Sequence, residues 1–175
     1  MAIEVVIERL AAHPQALPIL QQWFEAEWPA WYGADGPGDA RADLQAFADP
    51  GGLPVGLVAL RGGAPCGIAV LKAETLPARG HLGPWAAAGL VDPRLRGRGI
   101  GAQLLAALER EAAGLGYRAI WCATNTAESL LRRCGWELVE RLVHNGERLG
   151  IYRKPVRPPS PPAAGGDDPG FNRPG

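Results

Sequence analysis

Arg96-Gly97-Arg98-Gly99-Ile100-Gly101 sets three alternating glycines and two arginines in six residues, with Arg94 just before them. Glycine turns the chain where other residues clash, and it lets bare main-chain N–H groups approach a ligand. The apolar periodicity starting at Ile100 predicts a helix, whose first turn adds unpaired amides and the positive end of a dipole. Amides and guanidiniums converging on one point suit a phosphorylated ligand. In a turn that bound nothing, three arginines would repel one another without benefit.

Two other phosphate motifs fit less well. Gly97, Gly99 and Ala102 satisfy the dinucleotide pattern G-x-G-x-x-A, but that fold needs an acid at the tip of the next strand to hold a ribose. Here the tip reads Cys122-Ala123-Thr124-Asn125. A nucleoside-triphosphate loop needs Gly-Lys followed by Ser or Thr, and none follows.

The elements that must position this loop are read from period and turn chemistry. Ile3–Arg9 predicts a first strand, Pro14 opens a helix to about Trp28, and Asp39–Ala48 forms a second helix after the loop at Trp31–Gly38. Val55–Arg61 and Cys66–Glu74 flank the turn Gly62-Gly63-Ala64, and Trp85–Val91 is extended until Asp92-Pro93 stops it. Gly99–Leu115 is a helix ending before Gly116, followed by a strand at Arg118–Thr124 and a helix at Thr126–Arg133. Trp136–His144 and Glu147–Arg153 flank Asn145-Gly146, a hairpin signal.

Val91 to Gly101 with the helix behind it resembles motif A of the GCN5-related N-acetyltransferase superfamily. Its signature, Arg/Gln-x-x-Gly-x-Gly/Ala, is met by Arg96, Gly99 and Gly101, and Gly135-Trp136 stands where the family has Gly-Phe. The resemblance covers about Ile3–Lys154. It implies an α/β (α+β) fold: a mixed, mostly antiparallel sheet of about seven strands with about four helices and a splayed parallel strand pair.

By that resemblance, acetyl-coenzyme A rests its diphosphate on the amides of Gly97, Arg98, Gly99, Ile100, Gly101 and Ala102, beside Arg96. Its pantetheine arm pairs with Gly89, Leu90 and Val91. Gly89 suits a bulge, or is a packing glycine under a large neighbour. An N–H near Leu90 polarises the thioester carbonyl. Asn125 touches the cofactor arm or caps the next helix. An amine attacks the thioester directly, with no covalent enzyme intermediate.

The proton carriers depart from the family pattern. Leu131 fills the place of the usual tyrosine acid, and Trp85-Ala86-Ala87-Ala88 carries no carboxylate where relatives place a glutamate. Glu74 and His81 remain as candidate bases, acting directly or through water. Trp23, Trp28, Trp31 and Tyr32 surround Glu25 and Glu27, a grouping that would attract an amine cation or simply cover a thin edge. Trp121 and Trp136 read as core, and Cys122 and Cys134 as small buried fillers.

Composition bounds the rest. With 175 residues, 47% hydrophobic and 21% charged, the chain fits one soluble domain with a core. A net charge of zero at pH 7 gives no bias toward nucleic acid or a membrane surface. Cys66, Cys122 and Cys134 show neither disulfide nor metal-ligand spacing. No signal peptide or apolar span is visible, which points to the cytoplasm. The acceptor is expected to be a small-molecule or peptide amine, with a homodimer left open. Residues 1–154 form the domain, and the Pro- and Gly-rich segment 155–175 reads as disordered. A non-catalytic acyl-coenzyme A binding module is the alternative function, and a dinucleotide oxidoreductase a third.

Overall fold

Gly62-Gly63 and Asn145-Gly146 each take positive φ at both residues (56° and 82°, 49° and 78°), the geometry of tight two-residue hairpins. These turns fold β2 (Val55–Arg61) onto β3 (Ala64–Lys72) and β6 (Glu137–His144) onto β7 (Glu147–Pro155). The computed structural model describes residues 3–160. With β1 (Val6–Arg9), β4 (Trp85–Val91) and β5 (Ala119–Thr124), these strands make one seven-stranded sheet, ordered β1-β2-β3-β4-β5-β7-β6. Neighbours are antiparallel except β4 and β5, which run parallel.

Helices cover both faces of the sheet: α1 (Leu17–Glu27), α2 (Pro29–Tyr32), α3 (Ala40–Phe47), α4 (Ile100–Gly114) and α5 (Glu128–Arg133). Strand β2 is therefore buried from Val55 to Leu60 without alternation, as a strand covered on both sides must be. On one face, Leu57, Ala59, Leu71 and Ala86 pack with Ile100, Leu104 and Leu108, which recur along α4 at helical spacing. On the other face, Val58, Leu60, Ile68 and Val70 meet Leu20 and Phe24 of α1 and Leu44 and Phe47 of α3. A third cluster on that second face joins Trp85 and Ile151 to Leu76, Leu82, Trp121, Leu142 and Leu149.

Local departures from the expected boundaries have identifiable causes. The first helix is preceded by a 3-10 turn at Pro14–Ala16, and Pro29 restarts a helical turn where a loop was expected. β1 is short because residue 3 is used elsewhere: its N–H donates to Arg98 O (3.2 Å) and its carbonyl accepts Gln103 Nε2 (3.0 Å). α5 starts at Glu128 because Thr124 Oγ1 takes the N–H groups of Thr126 and Ala127 in a turn.

At the other end, Pro155 still pairs with Ala119, and the Val156 N–H donates to Arg118 O at 3.0 Å. The sheet thus takes up the first residues of the expected tail, while 161–175 lie outside the described residues.

Two buried tryptophans allow a clean comparison. Trp85 Nε1 donates to Leu82 O at 2.8 Å, whereas the Trp136 indole N–H finds no partner among the described residues. Trp85→Phe and Trp136→Phe delete the same atoms, so Trp85→Phe should cost about 1 kcal/mol more, the worth of one satisfied bond. Urea denaturation of the two variants measures the difference.

Candidate active site

The parallel pair is barely a pair. β4 and β5 share one registered position, Trp85 with Trp121, tied by the Trp121 N–H to Pro84 O at 3.0 Å. Beyond it no further pair forms, so the edge of β4 that faces β5 is left without a ladder partner from Ala87 to Val91. On the β3 side, Ala87 opposes Val70 and Leu90 opposes Ile68, so Ala88 and Gly89 together face Ala69 in a bulge. The positive φ of this bulge, 50°, falls on Ala88 rather than Gly89. A Cβ added at Gly89 would meet nothing within 4 Å, so this glycine is not packed under a neighbour.

The bulge also corrects the expectation for Leu90. The Asp92 N–H donates to Cys66 O of β3 at 2.9 Å. Main-chain directions alternate along a strand, so Leu90 also points its N–H at β3, and Gly89 and Val91 point theirs into the gap. The amide near this point that faces open space is therefore not that of Leu90.

Past β4 the chain turns twice through left-handed glycines, Gly97 at φ 75° and Gly99 at φ 83°, the second being the residue before α4. Among the described residues, the N–H groups of Gly97, Arg98, Gly99, Ile100, Gly101 and Ala102 donate to no protein atom. The first helix bond comes only from Gln103 N to Gly99 O, at 3.1 Å. Arg96 through Gly99 are exposed, and a Cβ at Gly97 would stand in open space. Three contacts fix this cradle: the buried Ile100 side chain, the strap from Ile3, and Leu130 of α5, which lies 3.1 Å from where a Gly101 Cβ would be.

The three arginines are held differently, and the partner of Arg94 is a residue that sequence reading overlooked. Asp92 is buried and accepts the Arg94 N–H (3.0 Å), Nε (3.2 Å) and NH2 (2.8 Å). The Arg94 hydrogen bond holds the Asp92 carboxyl below its ordinary range, against the opposing effect of burial. Arg96 donates to Val91 O (3.2 Å) and to Glu27 (3.3 Å), which ties the end of α1 to the end of β4. Arg98 is exposed, and among the described residues no carboxylate lies within ion-pair reach of it. The Asp in Asp92-Pro93-Arg94, two residues ahead of an arginine at a strand's end, was the available signal for such a turn.

Gly89, Leu90, Val91, Arg96–Ala102 and Asn125 all gather at the carboxyl ends of β4 and β5, where open parallel strands form a crevice. Asn125 is exposed and donates to Glu147 at 3.4 Å; Thr124 performs the capping expected of it. Glu74 and His81 are not brought to this group. Both are exposed in the connection that enters β4 at Trp85, on the order of 20 Å of strand from the loop. Glu74 also falls two residues beyond the end of β3.

Leu131 is buried and offers no proton. The Tyr152 hydroxyl is occupied, donating to Glu128 at 2.9 Å, and Arg141 holds the same carboxylate at 2.7 Å. Burial pushes the Cys122 thiol up to about 12, which leaves it protonated and unreactive at neutral pH.

The aromatic group at α1 and α2 borders the bulge. Ala88 packs in the cluster that includes Trp23, Trp28 and Tyr32, and the Phe24 and Trp28 rings meet edge to face at 5.1 Å. Its carboxylates are not free as expected. Glu25 accepts Gln21 Nε2 at 3.0 Å, Glu27 is held by Arg96, and Asp43 takes the Tyr32 hydroxyl at 2.7 Å.

A mixed sheet whose parallel pair opens beside a glycine-turned helix start defines a class of acyltransferase fold. The chain belongs to the Acetyltransferase (GNAT) family, whose sequence profile matches residues 20–136, well over half of it. Its fold is similar to that of an aminoglycoside 6'-N-acetyltransferase complexed with coenzyme A (TM-score 0.72, 14% identity, covering 89% of this chain and 99% of that one). It is also similar to an aminoglycoside 6'-N-acetyltransferase from Enterococcus faecium (TM-score 0.71, 15% identity, 89% and 99% covered). A third similar structure is a phosphinothricin acetyltransferase from Sinorhizobium meliloti in complex with AcCoA (TM-score 0.67, 21% identity, 89% and 90% covered). No curated protein matches the sequence. Among the described residues, no helix is long and apolar enough to cross a membrane.

The Asp92 turn yields a pH-dependent prediction. Its carboxyl titrates lower folded than unfolded, so its contribution to stability is complete above the unfolded value, near pH 4, and is lost as pH falls through the folded one. Asp92→Asn keeps an oxygen for the Arg94 N–H but loses the charge-assisted bonds to its guanidinium, and should cost about 1 kcal/mol at neutral pH. The gap between wild type and variant should close below about pH 4. Thermal melts across pH measure both.

Proposed function

We propose that this acetyltransferase moves the acetyl group of acetyl-coenzyme A to a primary amine of a small molecule or peptide, by direct attack in a ternary complex. The observation that carries the reading is the row of unpaired N–H groups from Gly97 to Ala102, continuous with the unpaired edge of β4. A diphosphate supplies acceptor oxygens for the row, and the helix dipole and Arg98 favour its charge. The exposed arc of the Arg96 guanidinium lies at the same mouth. A pantetheine amide chain supplies the strand-like partner that β4 lacks, along Gly89, Leu90 and Val91. Asn125 borders the other side of the gap, and the acceptor is placed under the α1–α2 aromatics.

The chemistry asks little of the protein beyond placement. The amine nitrogen bonds to the thioester carbon, the C–S bond breaks, and the ammonium proton and the thiolate must be reconciled. The N–H of Gly89 or Val91, aimed into the gap, is the donor suited to the developing oxyanion, in place of Leu90. No side chain stands in the place of the usual acid, so the thiolate leaves as such or takes a proton from water. Glu74 or His81 receives the ammonium proton through water, because each lies at the Trp85 end of the cleft. A cytoplasmic setting is part of this reading.

Leu131 and the acid-free Trp85–Ala88 favour one rival, a module that binds acyl-coenzyme A without turnover. Thiol release with a panel of amines decides between them: tight binding with no release supports the module.

The loop assignment is tested at Gly97. Aspartate and asparagine both tolerate its left-handed backbone, and both fit the open space around it. Gly97→Asp sets a negative charge in the anion cradle and should weaken acetyl-coenzyme A binding at least tenfold, with Gly97→Asn nearer wild type. Calorimetric titration reads the affinities; equal affinity in all three proteins rejects the cradle.

A further inference from the structure

The acceptor side of the cleft has its own charge pattern. At the closed end of the β4–β5 gap, the Trp121 indole lies against Trp85, with ring centroids 6.2 Å apart. The Arg153 guanidinium sits over the same indole, its carbon 5.7 Å from the ring centroid. Arg153 reaches it from β7, where it pairs in register with Trp121. The segment between β3 and β4 closes this end from above: Leu76 and Leu82 pack into the Trp85 cluster, and Arg79 grips Glu140 at 2.7 and 3.0 Å. Arg153 is thus half-buried, over an aromatic ring, at the end of the cleft toward which an acyl arm anchored at Gly97–Ala102 would point.

The neighbouring charges on this face are largely committed. Glu140 is held by Arg79 and Glu27 by Arg96, while Asp43 and Glu25 accept from Tyr32 and Gln21. Among the described residues, Arg153 makes no ion pair; Glu137, its register partner on β6, is exposed and does not bridge to it. Glu74, in the overlying segment, is exposed and solvated. Arg153 therefore sets an uncommitted positive charge, backed by an aromatic ring, at the inner end of the cleft, with the Glu74 carboxylate exposed in the overlying segment. A guanidinium held over an indole by cation–π attraction keeps N–H donors free, and a guanidinium fork matches a carboxylate.

We propose that Arg153, held over the Trp121 ring, is a specificity residue that binds an anionic group of the acceptor, so that the substrates are amines carrying a carboxylate, such as amino acids and dipeptides. This rests on the acetyltransferase reading above. It sets the chain apart from the aminoglycoside acetyltransferases whose fold it shares, since a polycationic acceptor would meet an unpaired guanidinium in a half-buried site.

Steady-state thiol release with purified protein tests it, using amino acids and dipeptides with uncharged side chains, each beside its C-terminal amide, with kanamycin and spermidine as polycations. Wild type should prefer the carboxylates over their amides by at least tenfold in kcat/KM. Arg153→Gln should raise KM for the carboxylates at least tenfold with kcat little changed, and leave KM for the amides and for acetyl-coenzyme A unaltered. Arg153→Lys should recover part of the loss, and melting curves check that each variant folds. Preference for polycations, no turnover of any carboxylate, or equal loss for acids and amides in Arg153→Gln overturns the assignment. Failure of acetyl-coenzyme A to bind wild type, read by calorimetry, would instead reject the underlying enzyme reading and this proposal with it.

Discussion

Main-chain amides that fold without an acceptor are the constraint around which the rest of the molecule is arranged. A buried N–H without a partner costs a large fraction of a domain's stability, so such groups survive only where water or a ligand can reach them. Here they occur in two adjoining runs, the β5-facing edge of β4 and the first turn of α4 with the loop before it. The sheet could have closed over the first run by zipping β5 along β4. It does not, because one bridge at Trp85–Trp121 is all the register allows before β5 follows β7, with which it pairs along its whole length.

Holding such an opening rigid takes contacts from several distant parts of the chain. The bulge keeps Leu90 in the core while turning the next amides outward, at the expense of an alanine in left-handed conformation. Arg96 bolts α1 to the end of β4, Asp92 fixes the first turn of the loop, and residue 3 binds the second. Of these contacts, only the Arg96 bond to Val91 O lies on the edge of the gap itself. Each restrains a piece of backbone whose direction the gap depends on.

How much of this was readable beforehand follows from the range of the forces involved. The glycine loop, the α4 stripe of Ile100, Leu104 and Leu108, and the Asn145-Gly146 hairpin are local signals, and with the family resemblance they pointed to the mixed, mostly antiparallel sheet of seven strands with one parallel pair that is observed. The positions that were misjudged depend on distant partners or on one-residue shifts that periodicity does not show. Glu25 and Glu27 looked free because nothing nearby in sequence names Arg96 as a partner. Leu90 looked like the exposed amide because a one-residue bulge reverses every later direction on the strand. Asn125 looked like a cap, but Thr124, one residue earlier, has the shorter reach to the same amides. Arg153 carried no signal at all until β7 laid it across Trp121.

The strap at residue 3 has a practical side. Because that residue exchanges two hydrogen bonds with Arg98 and Gln103, any peptide joined ahead of it emerges beside the glycine turn. A purification handle fused at that end would crowd the mouth of the crevice, whereas residues 156–160 lie beside Gly116 and Arg118 at the opposite end of β5. Affinity measured on a leader-bearing preparation would then report on the handle as much as on the enzyme.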